Sequence, residues 1–570
     1  MRPRTVKPVF VSAALALGIA SLGHSQRATI RVAPRPVISE HPTSVSSVFL
    51  SASDVDAIVS SAAREAVRQN VSAVIAVVDR EENILGVFRM DGAPRNLLIL
   101  GRRDGHSSGL EGRTLPDATV FAALSKAGTA AVFETTGNAF STRTASFIIQ
   151  EHFPPGIDFT PGGPLFGVQF SNLLCTDVKR VDPANGNLAL PLGLAGDPGG
   201  LPLYKDGEPV GAIGVEANGI YTIDFDPAER TPDDDEELVA LAGTRGFEPP
   251  PEIRGDRIFV NGIRLPFAEA DVPEPSGTPP PTGTFVFPLR DGLPSVFVPV
   301  TVRGLAATAD PRFFPFSASS DPGGLTADDV SQIVGQALEQ AYRTRAAIRR
   351  PLGSAAQINV AVVDAHGTVL GIARTPDAPV FGFDVSAQKA RTAAYFSSSG
   401  AATALSAAGF DEYVRNASRE GLSLNGSVAF SDRATGFLSR PFFPDGINET
   451  TAGPFSRPIE EWSVFNDGLQ VDLLTGLVEI LTGARPIGPP CTPIPAIANG
   501  IQIFPGSVPL YKNGVLVGGI GVSGDGVDQD DIIATMGSAG FEAPPEIRSD
   551  RVFVREVRLP WVKFPRHPNL

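Results

Sequence analysis

Two lysines recur on matching stretches of small residues, Lys126 in LSKAGTAAVF and Lys389 in AQKARTAAYF, in a chain with only seven lysines against forty arginines. Alanines around each lysine, with Thr129 or Thr392 three residues on, let a planar ligand or a neighbouring backbone come close. There the ammonium is a cation for a carboxylate, with Arg391 alongside in the second stretch and Gly128 at that position in the first. The plainer reading is a lysine lying along its own sheet or pairing with Asp364. Arg89 and Arg374 close two further matching segments, ILGVFR and VLGIAR, and meet either an anionic ligand or Asp91 and Asp377. Asp79 and Asp364 follow apolar runs and precede short turns, so they cap the turn through backbone bonds or join a ligand site.

Other chemistry is less well supported. His41, His106, His152, His366 and His567 stand apart, without HxH or CxxCH spacing, which excludes covalent haem attachment. His366 reads as an exposed turn residue. Tyr204 and Tyr511 recur at strand ends, where an iron-ligating tyrosinate competes with ordinary packing. The acidic run Asp233 to Glu237, echoed by Asp528 to Asp531, fits no EF-hand and reads as a solvated helix start. No G-x-S-x-G elbow, P-loop or HExxH motif occurs, and no catalytic residue is assigned.

The elements that carry these residues come twice. VVD followed by ILGVFR matches VVD followed by VLGIAR; GLPLYKDGEPVGAIGV matches SVPLYKNGVLVGGIGV; GFEPPPEIRGDRIFV matches GFEAPPEIRSDRVFV. Each copy predicts a capped amphipathic helix (after Ser53 or Thr326), a hairpin, the lysine helix, a second hairpin turning at Asp206-Gly207 or Asn513-Gly514, a short acidic helix and a final strand. This order predicts an α+β fold, an antiparallel sheet with helices packed on it.

The expected limits are 1–25 for a signal peptide, 26–50 for an extension, 51–269 for the first copy, 270–323 for a Pro/Gly-rich linker, 324–564 for the second copy and 565–570 for a tail. The apolar part of the linker, FVFPL and SVFVPVTV, is expected to pack as a strand on one copy. Each copy also carries a long insertion, near 140–198 and 415–505. A basic start, the run Val9–Leu22 and small residues before Gln26 describe an export signal, so the mature protein is expected in the periplasm or secreted. In that compartment Cys175 and Cys491 either bridge or remain two thiols. A net charge of −15 argues against nucleic-acid binding and anionic membranes.

The second copy resembles the haem-binding and haem-degrading family of GlcG and HbpS-like proteins, in its LTADD helix start, VAVVDAHGTVLGIARTPDAP, the Lys-Ala-Arg-Thr-Ala-Ala helix, and PLYKNGVLVGGIGVSG followed by Asp530-Asp531. The first copy matches less well. The resemblance implies profilin-like domains, oligomers or an internal pseudo-dimer of the two copies, and non-covalent binding of haem or a related planar anionic ligand. Lys389, Arg391, Thr392, Arg374, Asp364, Lys126 and Thr129 are the candidate ligand residues, with no metal ligand assigned. Two alternatives stay open: an extracellular scaffold that has lost its ligand, and an enzyme that breaks haem down.

Overall fold

Each repeat opens with a helix that its sequence caps at the start. Helix α1 (Ala52–Gln69) follows Ser51, and the later α5 (Ala327–Arg343) follows Thr326; both have a capping box closed by an aspartate, Asp54 or Asp329. The cap of the first lies at Ser51 rather than Ser53. The computed structural model describes residues 48–101, 109–180, 190–225, 234–275, 277, 279 and 281–563. The expected signal segment 1–25 lies outside them.

The first sheet holds the hairpin Val74–Asp79 and Ile84–Met90 and the hairpin Gly200–Lys205 and Glu208–Glu216. The second holds Ile358–Asp364 with Val369–Arg374 and Ser507–Lys512 with Val515–Gly524. All these pairings are antiparallel. The turns form as their residues dictate: Asp206 and Asn513 take φ 55° and 51°, each followed by a positive-φ glycine. The central strands VIAVVD and INVAVVD are buried along their whole length, because a helix layer covers each face. Val360 and Val362 pack toward α5, while Val363 meets Ala390 and Ala394 of the lysine helix.

The lysine helices, α2 (Thr119–Phe133) and α6 (Gly382–Phe396), lie directly on strand backbone. A Cβ at Gly214 would stand 2.2 Å from Ala123 O, and one at Gly521 2.0 Å from Ser386 O. Glycine is therefore required in both copies of the GxIGV strand.

The 270–323 segment does more than connect. Gly283–Phe287 pairs with the first sheet, while Val298–Val302 and Leu305–Ala309 form the edge of the second. The expected final strand of each copy is instead a pair of two-residue strands, Phe259–Val260 with Ile263–Arg264 and Phe553–Val554 with Val557–Arg558.

The insertions are themselves repeated. A serine-capped helix, Thr142–Ile148 or Asp432–Phe437, leads in each to a cis Phe-Pro bond, Phe153-Pro154 or Phe443-Pro444. They interlock across the molecule. Phe166 stacks on Trp462 at 5.5 Å, Phe133 of α2 meets Phe381 at 4.5 Å, and Cys175 is disulfide-bonded to Cys491. One apolar core runs through both insertions and both lysine helices, and the described residues form one compact unit.

Candidate functional site

Both lysines are fully buried and ion-paired. Lys389 Nζ donates to Val522 O at 2.8 Å and to Asp530 Oδ2 at 3.1 Å, above the ring of Phe504. Lys126 Nζ lies between Asp197 (3.0 Å), Glu216 (3.2 Å) and Glu236. Burial pulls the Lys126 pKa down, but the three carboxylates outweigh it and hold it well above the ordinary value. Burial raises Asp530 to about 7 against the pull of Lys389. Glu236 and Asp530 hold the same place in the two acidic helices. Their neighbours Glu237 and Asp531 pair with Arg143 and Arg433. The acidic runs are therefore not solvated helix starts at these positions. Their carboxylates are drawn inward because each repeat sets a buried lysine and an arginine opposite them.

The other residues around α6 are also engaged. Arg391 grips Asp177 with two bonds, of 2.8 and 2.7 Å, and donates to Asn499 Oδ1 and Gly367 O. Thr392 and Thr129 donate to the carbonyls of Gln388 and Ser125 in their own helices. They accept from Gln502 N and Ala195 N of the insertions. Asp364 is not the partner of Lys389. It caps its turn, accepting from His366 N and Thr368 N at 2.9 Å. The structure thus gathers Lys389, Arg391 and Thr392 on one helix, under segments 172–177 and 499–502.

His366 is exposed in its turn beside Asp321, at 3.1 Å, and His152 is packed against Phe442. Tyr204 donates to Thr135 O; burial holds its hydroxyl well above its usual pKa and pushes Tyr511 to about 12. Neither is a tyrosinate near neutral pH. His41, His106 and His567 lie outside the described residues.

Arg374 has a different setting. It lines a cleft of about 720 Å³ bounded by both repeats and by the strands of the 270–323 segment. Its guanidinium lies over the Phe297 ring at 4.1 Å, and Nη2 donates to Ala378 O. Asp377, its expected partner, is held instead by Arg349 (2.6 Å) and Arg80 (3.1 Å). Burial raises Asp377, but these two cations outweigh it and keep the carboxylate below its ordinary value. Among the described residues no carboxylate stands within ion-pair distance of Arg374, and its Nε has no hydrogen-bond partner. Burial, with Arg80 adding, lowers Arg374 to about 9.

Thr308 lies directly across the strand pair from Arg374, and its buried hydroxyl also has no partner. Sequence reasoning missed Thr308, Arg80 and Arg349. Thr308 falls in the stretch assigned to the linker, and nothing local ties the arginines to Asp377.

Residues 325–436 and 479–539 match the family model described as haem degrading protein HbpS-like. The second repeat is an HbpS-like domain. The gap in the match, 437–478, falls inside the second insertion. Similar solved structures include Klebsiella pneumoniae ORFY, of the family DUF336, at 19% identity over 36% of this chain and 94% of that one, with TM-score 0.22. A second is a PduOC–haem complex, at 16% identity over 35% and 96%, with TM-score 0.21. A third is a double mutant of Streptomyces reticuli HbpS, at 18% identity over 37% and 97%, with TM-score 0.19. No curated protein matches the chain.

Haem needs an iron ligand, an apolar slot and cations for its propionates. The cleft supplies apolar walls with Arg80 and Arg374. Among the described residues its lining contains no histidine, cysteine, methionine, tyrosine or lysine.

Proposed function

We propose that this protein binds a small, carboxylate-bearing, partly apolar molecule non-covalently in the cleft at Arg374, haem or a related planar anion being the class the HbpS-like domain suggests. One observation carries the reading: a buried guanidinium without a carboxylate partner, beside an unsatisfied hydroxyl, at the wall of a cavity of ligand size. Arg374 and Thr308 anchor the carboxylate; Phe49, Val210, Leu293 and Val300 take the apolar body. The protein acts outside the cytoplasm, a reading supported by the buried Cys175–Cys491 disulfide.

Haemin titrated into the chain is expected to saturate near one equivalent, and Arg374→Ala is expected to weaken binding about tenfold or more. Saturable binding that ignores Arg374→Ala removes the site. A second reading, a scaffold without a ligand, is supported by the cover over Lys389, Arg391 and Thr392. It predicts a featureless, non-saturating titration.

A further inference from the structure

The geometry points to a metal-free organic acid as the occupant of the Arg374 cleft: an apolar body recognised through its carboxylates, with iron no part of the recognition. This inference rests on the cleft reading above and narrows its ligand.

The donor set carries the argument. Haem iron in proteins is held by histidine, cysteine, methionine or tyrosine, and among the described residues none of these lines the cleft. The described histidines and cysteines have other placements. His366 stands beside Asp321 on an exposed turn, His152 is packed against Phe442, and the two cysteines are bonded to each other. Three carboxylates of the cleft are engaged as well. Asp79 accepts from Glu81 N, Asn83 N and the Asn83 amide, Glu81 accepts from Val296 N, and Asp377 lies between two arginines.

What the cleft does present suits an organic anion. Pro299, Thr308 and Arg374 oppose one another on three adjacent strands, so their side chains leave the same face of the sheet. Thr308 Oγ1 and Arg374 Nε are unsatisfied donors within that row. A carboxylate accepts from both at once, and charge-assisted bonds of this kind are about twice as strong as neutral ones. Arg80, whose Nε also has no partner, lies at the same wall with its charge shared with Asp377. Phe297 stacks on the Arg374 guanidinium and holds its plane.

The test uses the full chain with two probes, metal-free protoporphyrin IX followed by fluorescence and haemin followed by absorbance. Wild type is compared with Arg374→Ala and with Thr308→Val, the second a near-isosteric change that keeps the sheet packed. The expected result is binding of both probes with affinities within about threefold, and haemin keeping the spectrum of unligated haemin. Both affinities should fall about tenfold in Arg374→Ala and severalfold in Thr308→Val. Haemin binding about tenfold or more tighter than protoporphyrin, with a shifted and sharpened Soret band, overturns the metal-free ligand. If Arg374→Ala still weakens that binding, the cleft reading survives. Saturation by neither probe, or binding indifferent to both substitutions, overturns the two readings together.

Discussion

Arg391 of the second repeat is held by Asp177 of the first repeat's insertion through two parallel bonds of 2.8 and 2.7 Å. Asp177 lies two residues from Cys175, and Asn499, which also accepts from Arg391, follows Cys491 in the opposite insertion. The disulfide therefore joins the two segments that cover α6. Asp177→Ala leaves a buried guanidinium with only neutral partners. It is expected to cost about 1–3 kcal/mol in urea unfolding. Burial raises the Asp177 pKa, but Arg391 outweighs it and holds it below the ordinary value. Its contribution is thus present above about pH 4 and lost as pH falls further. An acid limb of the stability curve that is the same in Asp177→Ala would refute the assignment.

The disulfide closes a sequence separation of 316 residues. Replacing both cysteines by serine is expected to lower stability by about 3–5 kcal/mol. In hydrogen exchange, protection should fall first over 172–178 and 491–499 while both sheets stay protected. Uniform loss across the sheets would mean that the bridge does more than pin the insertions.

The two buried lysines should respond unequally to loss of charge. Lys126→Met removes the cation shared by Asp197, Glu216 and Glu236 and is expected to cost about 3–5 kcal/mol. Lys389→Met leaves Asp530, whose pKa of about 7 lets it take up a proton, and should cost about 1–3 kcal/mol. Denaturant midpoints rank the two variants. A Lys389→Met change as damaging as Lys126→Met would contradict the charge argument.

Stability should fall as pH rises from about 4 to 7. Burial lifts Asp79 to about 6 and both Glu82 and Asp530 to about 7. The folded state keeps protons that the unfolded chain has already released, so these groups stabilise below pH 4 and lose that contribution through 6–7. Thermal midpoints measured from pH 4.5 to 7.5 should decline, with a shallower slope in Asp530→Asn. A rising curve would contradict the buried carboxylates.

At the cleft, Arg374→Lys keeps the positive charge but loses the planar fork and the stack on Phe297. Carboxylate binding should fall severalfold, less than in Arg374→Ala. Equal affinity for the lysine variant would reduce the role of Arg374 to charge alone.

Much of the fold is legible in the residues themselves. The capped helices after Ser51 and Thr326, the hairpins at Asp206-Gly207 and Asn513-Gly514 and the small-residue helices are written in neighbouring residues, and duplication states each of them twice. Arg374 is legible as a candidate cation, and Asp364 as a turn cap.

The sequence by itself determined the two repeats, the order of their elements and the antiparallel α+β class, because caps, turns and hydrophobic periods act over a few residues. Tertiary structure alone decided the charge partners. Glu236 faces Lys126, Asp177 faces Arg391, and Asp377 goes to Arg349 and Arg80, leaving Arg374 without a carboxylate. These partners are up to about three hundred residues apart along the chain, and a charge is selected there by burial and proximity, which no local pattern records. The same holds for the strands of the 270–323 segment. Their apolar residues foretold a strand, but only the packed sheets settled which edges they complete and so where the cleft lies.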